Sequence, residues 1–183
     1  MQVWRWLTSA LAATFLSVSL VACGFQLRTP PQMNFKTVQL TGFASSSPLA
    51  SELARAIEAA GADVVESTLE ATQKSGGEKA PATHLIFEAQ QDSRDQIAAS
   101  PTAYGQIRDI TTKNVLRYRV LRADGSELIP STRLEIANIL TFNEKDALAK
   151  ADEFEGSHRA MQTDIVQQVI RRLAAIRADQ LAP

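Results

Sequence analysis

The sequence predicts an α+β fold: a two-layer sandwich in which a mixed four-stranded sheet carries two helices packed on one face. Three observations support this prediction for the 183-residue chain. Apolar and polar residues alternate at strand spacing in several runs. Two other segments repeat apolar residues at the spacing of an amphipathic helix. These segments follow the order strand, helix, strands, helix, and both helices then cover the same sheet face.

The first strand and helix have clear boundaries. A strand is predicted from Phe35 to Leu40. In the helix that follows, Ser47 is suited to the N-cap, Pro48 to the first helical position and Gly61 to the left-handed position after the end. The apolar stripe of this helix is Leu49, Leu53, Ala56, Ile57 and Ala60.

The middle of the chain contains most of the predicted sheet. Residues 63–67 are a candidate short strand, and the polar, Gly- and Pro-containing segment 71–82 is the most disorder-prone part of the domain. Three longer strands are predicted over 84–91, 104–122 and 127–142.

The last two strands form a hairpin whose register follows from parity. The apolar residues of both strands fall on even positions, so paired residue numbers must have an even sum if both sets face the core. A three-residue loop from Asp124 to Ser126 satisfies this condition, with Gly125 or Ser126 left-handed. The same register places Arg117 opposite Arg133.

A long helix is predicted at the carboxyl end. Asn143 is suited to its N-cap and Asp146 to its first turn, while Gly156 is expected to loosen the helix locally. Its buried face is predicted to comprise Phe154, Met161, Ile165, Val166, Val169, Ile170, Leu173 and Ile176.

The amino terminus has the layout of a secretory signal. Arg5 is followed by an uncharged apolar stretch, 7–21, which is shorter than the roughly 20 residues of a membrane-spanning helix. The stretch ends in Leu20-Val21-Ala22-Cys23, which resembles the lipobox of bacterial lipoproteins. The alternative is a soluble secreted protein with a free thiol. Gly24, where Asp favours retention in the inner membrane of enteric bacteria, indicates the outer membrane.

These features divide the chain into four parts. We predict a lipoprotein signal peptide at 1–22, a lipidated linker at 23–33, one α/β domain at 34–178 and a tail at 179–183. Cys23 is the only cysteine, so no intramolecular disulfide can form. A formal net charge of −1 argues against a nucleic-acid partner.

Catalytic motifs are absent from the sequence. Its two histidines, His84 and His158, are far apart and are interpreted as structural, and no nucleotide, hydrolase or metal motif is present. Asp92 and Asp95, with Arg94 between them, could supply an acid and a base, but a solvated turn is the favoured interpretation. The sequence therefore predicts a protein that is not an enzyme and that has neither a metal nor a cofactor.

The predicted hairpin brings several arginines together. Arg119 is expected on the same face as the opposed pair Arg117 and Arg133, and like charges directly opposite each other are destabilising. One interpretation is that the cluster binds a phosphate-bearing ligand. The favoured interpretation is that Glu135, diagonal to Arg117, neutralises the pair.

Two stretches resemble one known family. Cys23-Gly24-Phe25-Gln26-Leu27-Arg28 is similar to the start of the mature LptE lipoproteins of lipopolysaccharide assembly. The segments 140–143, 147–153 and 169–176 are similar to that family's last strand and helix. With the matching element order, the resemblance covers nearly the whole mature chain.

The resemblance implies a function. Proteins of this kind bind lipopolysaccharide and act as plug and assembly partner of the outer-membrane barrel LptD, from the periplasmic side and within the barrel lumen. An N-acyl diacylglyceryl lipid is expected on Cys23. Lys150 falls where the family carries a basic residue linked with lipopolysaccharide binding. The family carries a second basic residue of this kind at a position where this chain has residues 98–101, none of which is basic. Arg94 is the nearest basic residue that could replace it. The next candidates for lipopolysaccharide binding, after Lys150 and Arg94, are Arg117, Arg119 and Arg133.

Two other classes compete with this interpretation. One is an accessory lipoprotein of another outer-membrane lipid-trafficking or secretion complex. The other is a lipid-anchored hydrolase, which the missing nucleophile and base disfavour.

Overall fold

The computed structural model describes residues 31–77, 79–101, 107–142 and 147–181. The predictions for Cys23, Asn143 and Asp146 therefore lie outside the described residues. The elements, in chain order, are β1 (Thr37–Thr41), α1 (Pro48–Ala59), β2 (Asp63–Val65), α2 (Thr68–Ser75), β3 (His84–Pro101), β4 (Ile107–Arg122), β5 (Glu127–Thr141), α3 (Ala147–Ala174) and a 3₁₀ turn (Ala178–Gln180).

The strands form one mixed sheet in the order β2-β1-β3-β4-β5. β1 runs parallel to β2 and β3, while β3, β4 and β5 are antiparallel neighbours. The α+β class is confirmed. The structure differs from the prediction in having five strands and three helices within the described residues, because β2 joins the sheet and α2 forms.

α1 begins and ends where its sequence predicts. Ser47 Oγ accepts a hydrogen bond from the Ala50 N–H at 3.1 Å, which caps the helix. Gly61 has the predicted left-handed conformation, with φ 88°. Leu53 and Ile57 of the predicted stripe are fully buried.

α1 and α3 share one hydrophobic core above the sheet. All eight residues of the predicted α3 stripe are buried. Six of them, from Ile165 to Ile176, pack with α1 and with Phe87 of β3 and Tyr118 of β4, whose rings stack at a centroid distance of 4.7 Å. The prediction that these two helices cover one face is therefore confirmed. Leu181, in the predicted tail, belongs to the same core.

α2 shows that the first part of the most disorder-prone segment, 71–82, is helical, since this helix runs to Ser75. Ser67 caps it, Gly76 ends it with φ 68°, and Ala71 is fully buried. Its first turn contacts Gln39, which accepts a hydrogen bond from the Thr68 hydroxyl at 3.2 Å. Because side chains alternate along β1, Gln39 lies on the face opposite the buried Val38. The first turn of α2 thus lies on the sheet face away from α1 and α3.

The hairpin register is confirmed in the body of the ladder and shifted at its turn. Arg117 lies opposite Arg133, and Leu116 lies opposite Leu134. The loop has three residues and a left-handed Gly125, but it closes between Arg122 and Ser126, one residue earlier than predicted. Two register irregularities near the turn absorb the shift.

β3 is longer than the sequence predicts. The prediction ended this strand near Gln91, whereas pairing with β4 continues to Pro101. Asp92, Arg94 and Asp95 therefore lie within a strand and not in a solvated turn. The strand passes a bulge between Ala89 and Gln91, which changes the residues that face the helices.

No helix of the described residues is both long and apolar enough to cross a membrane.

The close approach of the loop after β1 to the β3 bulge gives a stability prediction. Gly42 has φ 79°, and a Cβ built on it would lie 2.0 Å from the Ala89 carbonyl oxygen. Gly61 has a similar φ of 88° with nothing within 4 Å of such a Cβ. Gly61→Ala should therefore lower the free energy of unfolding by about 1–2 kcal/mol, from backbone strain alone.

Gly42→Ala should lower the free energy of unfolding by about 1–3 kcal/mol more than Gly61→Ala does, because backbone atoms must also move apart. Urea unfolding of both variants measures the difference. Equal losses would show that the approach of Gly42 to Ala89 imposes no steric constraint.

Candidate functional site

The hairpin arginines lie on the sheet face opposite α1 and α3. Leu116 and Tyr118 are buried under the helices, so the alternating neighbours Arg117 and Arg119 project from the other face. A row across three strands joins Gln91, Arg117 and Arg133. We call the sheet face that carries these side chains the outer face.

Most of the outer-face charges are paired. Arg119 makes a bidentate ion pair with Glu88, at 2.9–3.1 Å. Glu135 accepts hydrogen bonds from Arg133, and the Lys113 ammonium lies 3.8 Å away. The hydrogen bonds from Arg133, with the charge of Lys113, hold the pKa of the Glu135 carboxyl below its ordinary value.

This arrangement agrees only in part with the favoured interpretation of the arginine cluster, because Glu135 pairs with Arg133 and Lys113 and not with Arg117. Glu135 neutralises Arg133, as expected, and Glu88 neutralises Arg119. Arg117 is exposed and has no hydrogen-bond or ion-pair partner among the residues that the structure describes. Arg117 is therefore the member of the cluster whose charge is available to a ligand.

Arg94 lies on the helix-facing side of the sheet, opposite Asn114 in β4. Its guanidinium donates to the amide oxygen of Gln162 and lies 3.4 Å from the Glu155 carboxylate, both in α3. Gln162 in turn donates to the Pro48 carbonyl at 3.3 Å. The side chain of Arg94 is thus part of a polar connection between β3, α3 and the start of α1.

A cavity of about 220 Å³ with a mixed polar and apolar lining adjoins Arg94. It lies between the loop before α1, the strands β3 and β4, and α3. At its wall the Ser47 hydroxyl donates to the Asp92 carboxylate at 2.6 Å. Asp92 faces the helices and Asp95 the outer face, so the structure does not bring these two carboxylates together as an acid–base pair.

Lys150 is in the first turn of α3, where it forms an ion pair with Glu153. Glu155, the partner of Arg94, follows Lys150 by five positions, which is about 7.5 Å along a helix axis. Lys150 and Arg94 are therefore associated with the same end of α3. The hairpin arginines are on the opposite sheet face, so the predicted basic residues form two separate groups.

Both histidines have structural contacts. His158 is buried, with Nδ1 2.5 Å from the Asn114 amide oxygen, while the Asn114 amide nitrogen donates to the His158 carbonyl at 2.8 Å. His84 is fully buried, with Nδ1 3.0 Å from the Thr37 hydroxyl. No cluster of three or more potential metal ligands occurs within the described ranges.

The polar layer between α3 and the far half of the sheet is not predicted by the sequence pattern. Asn114, His158 and Gln162 are buried there, and Glu52 of α1 accepts a hydrogen bond from Thr163 at 2.8 Å. A signal was present in α3, because His158 and Gln162 lie four residues apart beside its apolar stripe. Polar residues at such positions need partners on the facing element.

The architecture is that of a small lipoprotein domain known from solved structures. An uncharacterized lipoprotein B from Nitrosomonas europaea, solved by NMR, is 27% identical, with 83% of this chain and 91% of that chain covered and a TM-score of 0.65. A minor lipoprotein from Acinetobacter baumannii (13% identity, 77% and 92% covered, TM-score 0.58) shares the fold. So does the rare lipoprotein B from Shewanella oneidensis (15% identity, 76% and 95% covered, TM-score 0.53).

The family is defined by sequence. The model of the LptE family, described as lipopolysaccharide-assembly, matches residues 35–173, and this chain belongs to that family. A comparison with curated protein sequences gave no match. LptE proteins are non-enzymatic lipoproteins associated with the outer membrane. The family predicted from the sequence is thus confirmed, and at the level of the family so is the absence of enzymatic activity.

The buried His84 gives a pH prediction. Burial lowers the pKa of its imidazole below the ordinary value of 6.5, and Nε2 has no partner among the described residues. The unfolded chain therefore binds the proton more readily than the folded protein. The stabilisation from neutral His84 is complete above pH 6.5 and is lost as the pH falls from 6.5 toward the folded-state pKa.

Urea unfolding between pH 7 and pH 5 should show this loss, with a slope of up to about 1.4 kcal/mol per pH unit for one proton. His158, whose pKa burial also lowers, contributes in the same window. His84→Leu should reduce the slope while leaving the His158 contribution. An unchanged slope in this variant would exclude His84 as its source.

Proposed function

We propose that this protein is an outer-membrane lipoprotein that binds lipopolysaccharide and serves as plug and assembly partner of an LptD-type barrel. The family match over residues 35–173 is the observation that carries the proposal. We further propose that Cys23 bears an N-acyl diacylglyceryl lipid, and that this lipid holds the domain at the periplasmic side of the outer membrane.

The outer face supports the role of a plug. A domain enclosed by the wall of a barrel lumen must present a surface that a polar wall can contact without a large excess of one charge. On the outer face the pairs of Arg119 with Glu88 and of Arg133 with Glu135 provide such a surface. Pairs of this kind contribute little to stability in water, so their groups are available to exchange partners with the barrel.

The basic residues differ in their readiness to bind the phosphates of lipopolysaccharide. Lys150 is held by one exposed acid, Glu153, which a phosphate can replace as its partner. Arg94 is bound to Gln162 and Glu155, so its release would disturb the contact of α3 with β3. Arg117 needs no release. The family resemblance favours Lys150 as the phosphate-binding residue. The unpaired charge of Arg117 favours Arg117 instead.

The lipid anchor is tested by Cys23→Ser. Loss of the thiol removes the acceptor of the diacylglyceryl group, so the variant should remain uncleaved or be mislocalised. Membrane fractionation and mass spectrometry of the mature amino terminus provide the measurement. Recovery of the wild-type protein from the soluble periplasm with an unmodified thiol would contradict the proposal.

The barrel partnership is tested by depletion. Lowering the amount of this protein should lower the amount of correctly assembled LptD-type barrel and of surface lipopolysaccharide. The wild-type chain should also co-purify with the barrel in a one-to-one complex. Unchanged barrel folding and unchanged surface lipopolysaccharide would refute this function.

The ligand site is tested by charge reversal in the purified domain without its lipid. If a phosphate contact at Lys150 contributes about 1.5–3 kcal/mol, Lys150→Glu should weaken lipopolysaccharide binding by about tenfold or more. Arg117→Glu is the matched comparison, because its exposed side chain has no described partner to lose.

Loss of binding in Lys150→Glu alone would place the ligand at the first turns of α3. Loss in Arg117→Glu alone would place it on the outer face. Thermal unfolding confirms that both variants are folded. If binding survives both changes, neither cation holds the ligand and the plug role remains as the function.

A further inference from the structure

Within the part of the chain that the structure describes, three strands of the sheet have backbone that no neighbouring strand covers. β2 lies at one end of the sheet and β5 at the other. β3 is also open on one side, because β1 pairs with it only as far as Glu88, whereas β3 continues to Pro101. Open strand edges promote pairing with other chains, and proteins normally block them.

Two of these edges are blocked by recognisable features. β2 has only three residues, Asp63–Val65. The open part of β3 has irregular register between Ala89 and Gln91 and again beyond Ala98. It also directs the charged side chains of Asp92 and Arg94 toward the helices. Short length, bulges and inward charges all disfavour the addition of a strand.

The β5 edge is blocked over its first half only. Pro130 and two register irregularities lie near the turn, and the charged residues Arg133 and Glu135 follow. From Ile136 to Thr141 the strand has no charge, no proline and no bulge. Ile139 is 67% exposed there.

The alternation of hydrogen-bonded residue pairs between β4 and β5 identifies which backbone groups of β5 point to this open edge. The Phe142 N–H donates to the Arg108 carbonyl at 2.7 Å, directly across the β4–β5 pair. Because antiparallel pairs alternate, even-numbered residues of β5 direct their N–H and C=O groups to β4 and odd-numbered residues direct them outward. The outward groups of Glu135, Ala137 and Ile139 have no partner among the residues that the structure describes.

We propose that the edge of β5 from Ile136 to Thr141 pairs with an extended segment of the barrel polypeptide, which adds a sixth strand to the sheet. This inference rests on the proposed function for the identity of the partner. Unsatisfied N–H and C=O groups in a row select an extended backbone as their occupant. The uncharged edge further selects an uncharged segment.

The side chains near this edge define the segment further. Ile139 and Ile97, 51% exposed, lie in one row of the outer face through their common partner Thr111. An added strand places a side chain beside Ile139 on that face. An apolar residue at this position would cover Ile139, so the barrel segment should be uncharged and apolar where it meets Ile139.

Substitution at Ala137 tests the edge in the full-length lipidated protein. Ala137→Pro removes an outward N–H that β4 does not use, and proline is tolerated at such edge positions. Ala137→Thr is the matched control, because it keeps the N–H and favours a strand. The Pro variant should lower recovery of the barrel complex by roughly tenfold, and the Thr variant should not.

A second variant keeps the test valid if Ala137→Pro does not fold. Ile139→Lys keeps the backbone N–H, alters an exposed side chain and places a charge on the uncharged edge. It should reduce the complex in the same direction. Normal recovery of the complex with both Ala137→Pro and Ile139→Lys would overturn the inference and leave the proposed function intact. Failure of the wild-type chain to co-purify with the barrel would overturn both.

Amide hydrogen exchange supplies an independent readout. The N–H groups of Ala137 and Ile139 should exchange rapidly in the isolated protein and at least tenfold more slowly in the barrel complex. The even-numbered N–H groups of Ile136 and Asn138 should be protected in both. If the odd-numbered groups instead become protected as the isolated protein is concentrated, the occupant is a second copy of this chain and the proposed occupant is wrong.

Discussion

The antiparallel pairing of β4 with β3 and β5 is the constraint on which the other features of the structure depend. Because side chains alternate along β4, Leu116 and Tyr118 enter the core while Arg117 and Arg119 project from the outer face. The register across the three strands then places Phe87 against Tyr118 and Glu88 beside Arg119. A shift of one residue would reverse both faces, so the core and the charged surface are specified by the same hydrogen bonds.

α3 is held to this sheet in two chemically different ways. Its second half packs through apolar residues such as Val169 and Leu173, which are fully buried. Its first half meets the far part of β3 and β4 through Arg94, Asn114 and Gln162. Polar contacts of this kind contribute less than apolar burial and depend on geometry. The half of α3 that contains Lys150 therefore depends more on polar contacts with the sheet than the other half does.

The proposed function uses two chemically different surfaces of the same small domain. The outer face and the free β5 edge offer paired charges and an open row of backbone groups, which suit a protein wall. The first turns of α3 offer a basic side chain held by one exposed acid, Glu153, which suits a phosphate. The proposed function needs one surface for the barrel and another for the lipopolysaccharide, and the sheet separates the two.

The sequence by itself determined the features that depend on local spacing. The ends of α1, the buried face of α3 and the parity that sets Arg117 opposite Arg133 all follow from residue types within one or two neighbouring elements. Resemblance in sequence also identified the family, which the match over 35–173 confirms.

Only the tertiary structure decided which charges are free and how far β3 extends. Beyond Gln91, β3 faces a polar part of α3, so it lacks the apolar alternation by which a strand is recognised. α2 forms although its sequence is polar, because Ala71 is buried and Thr68 bonds to Gln39 of β1. Arg94 and Arg117 look alike in the sequence and differ in the fold, since the partners of Arg94 come from a helix more than 60 residues away.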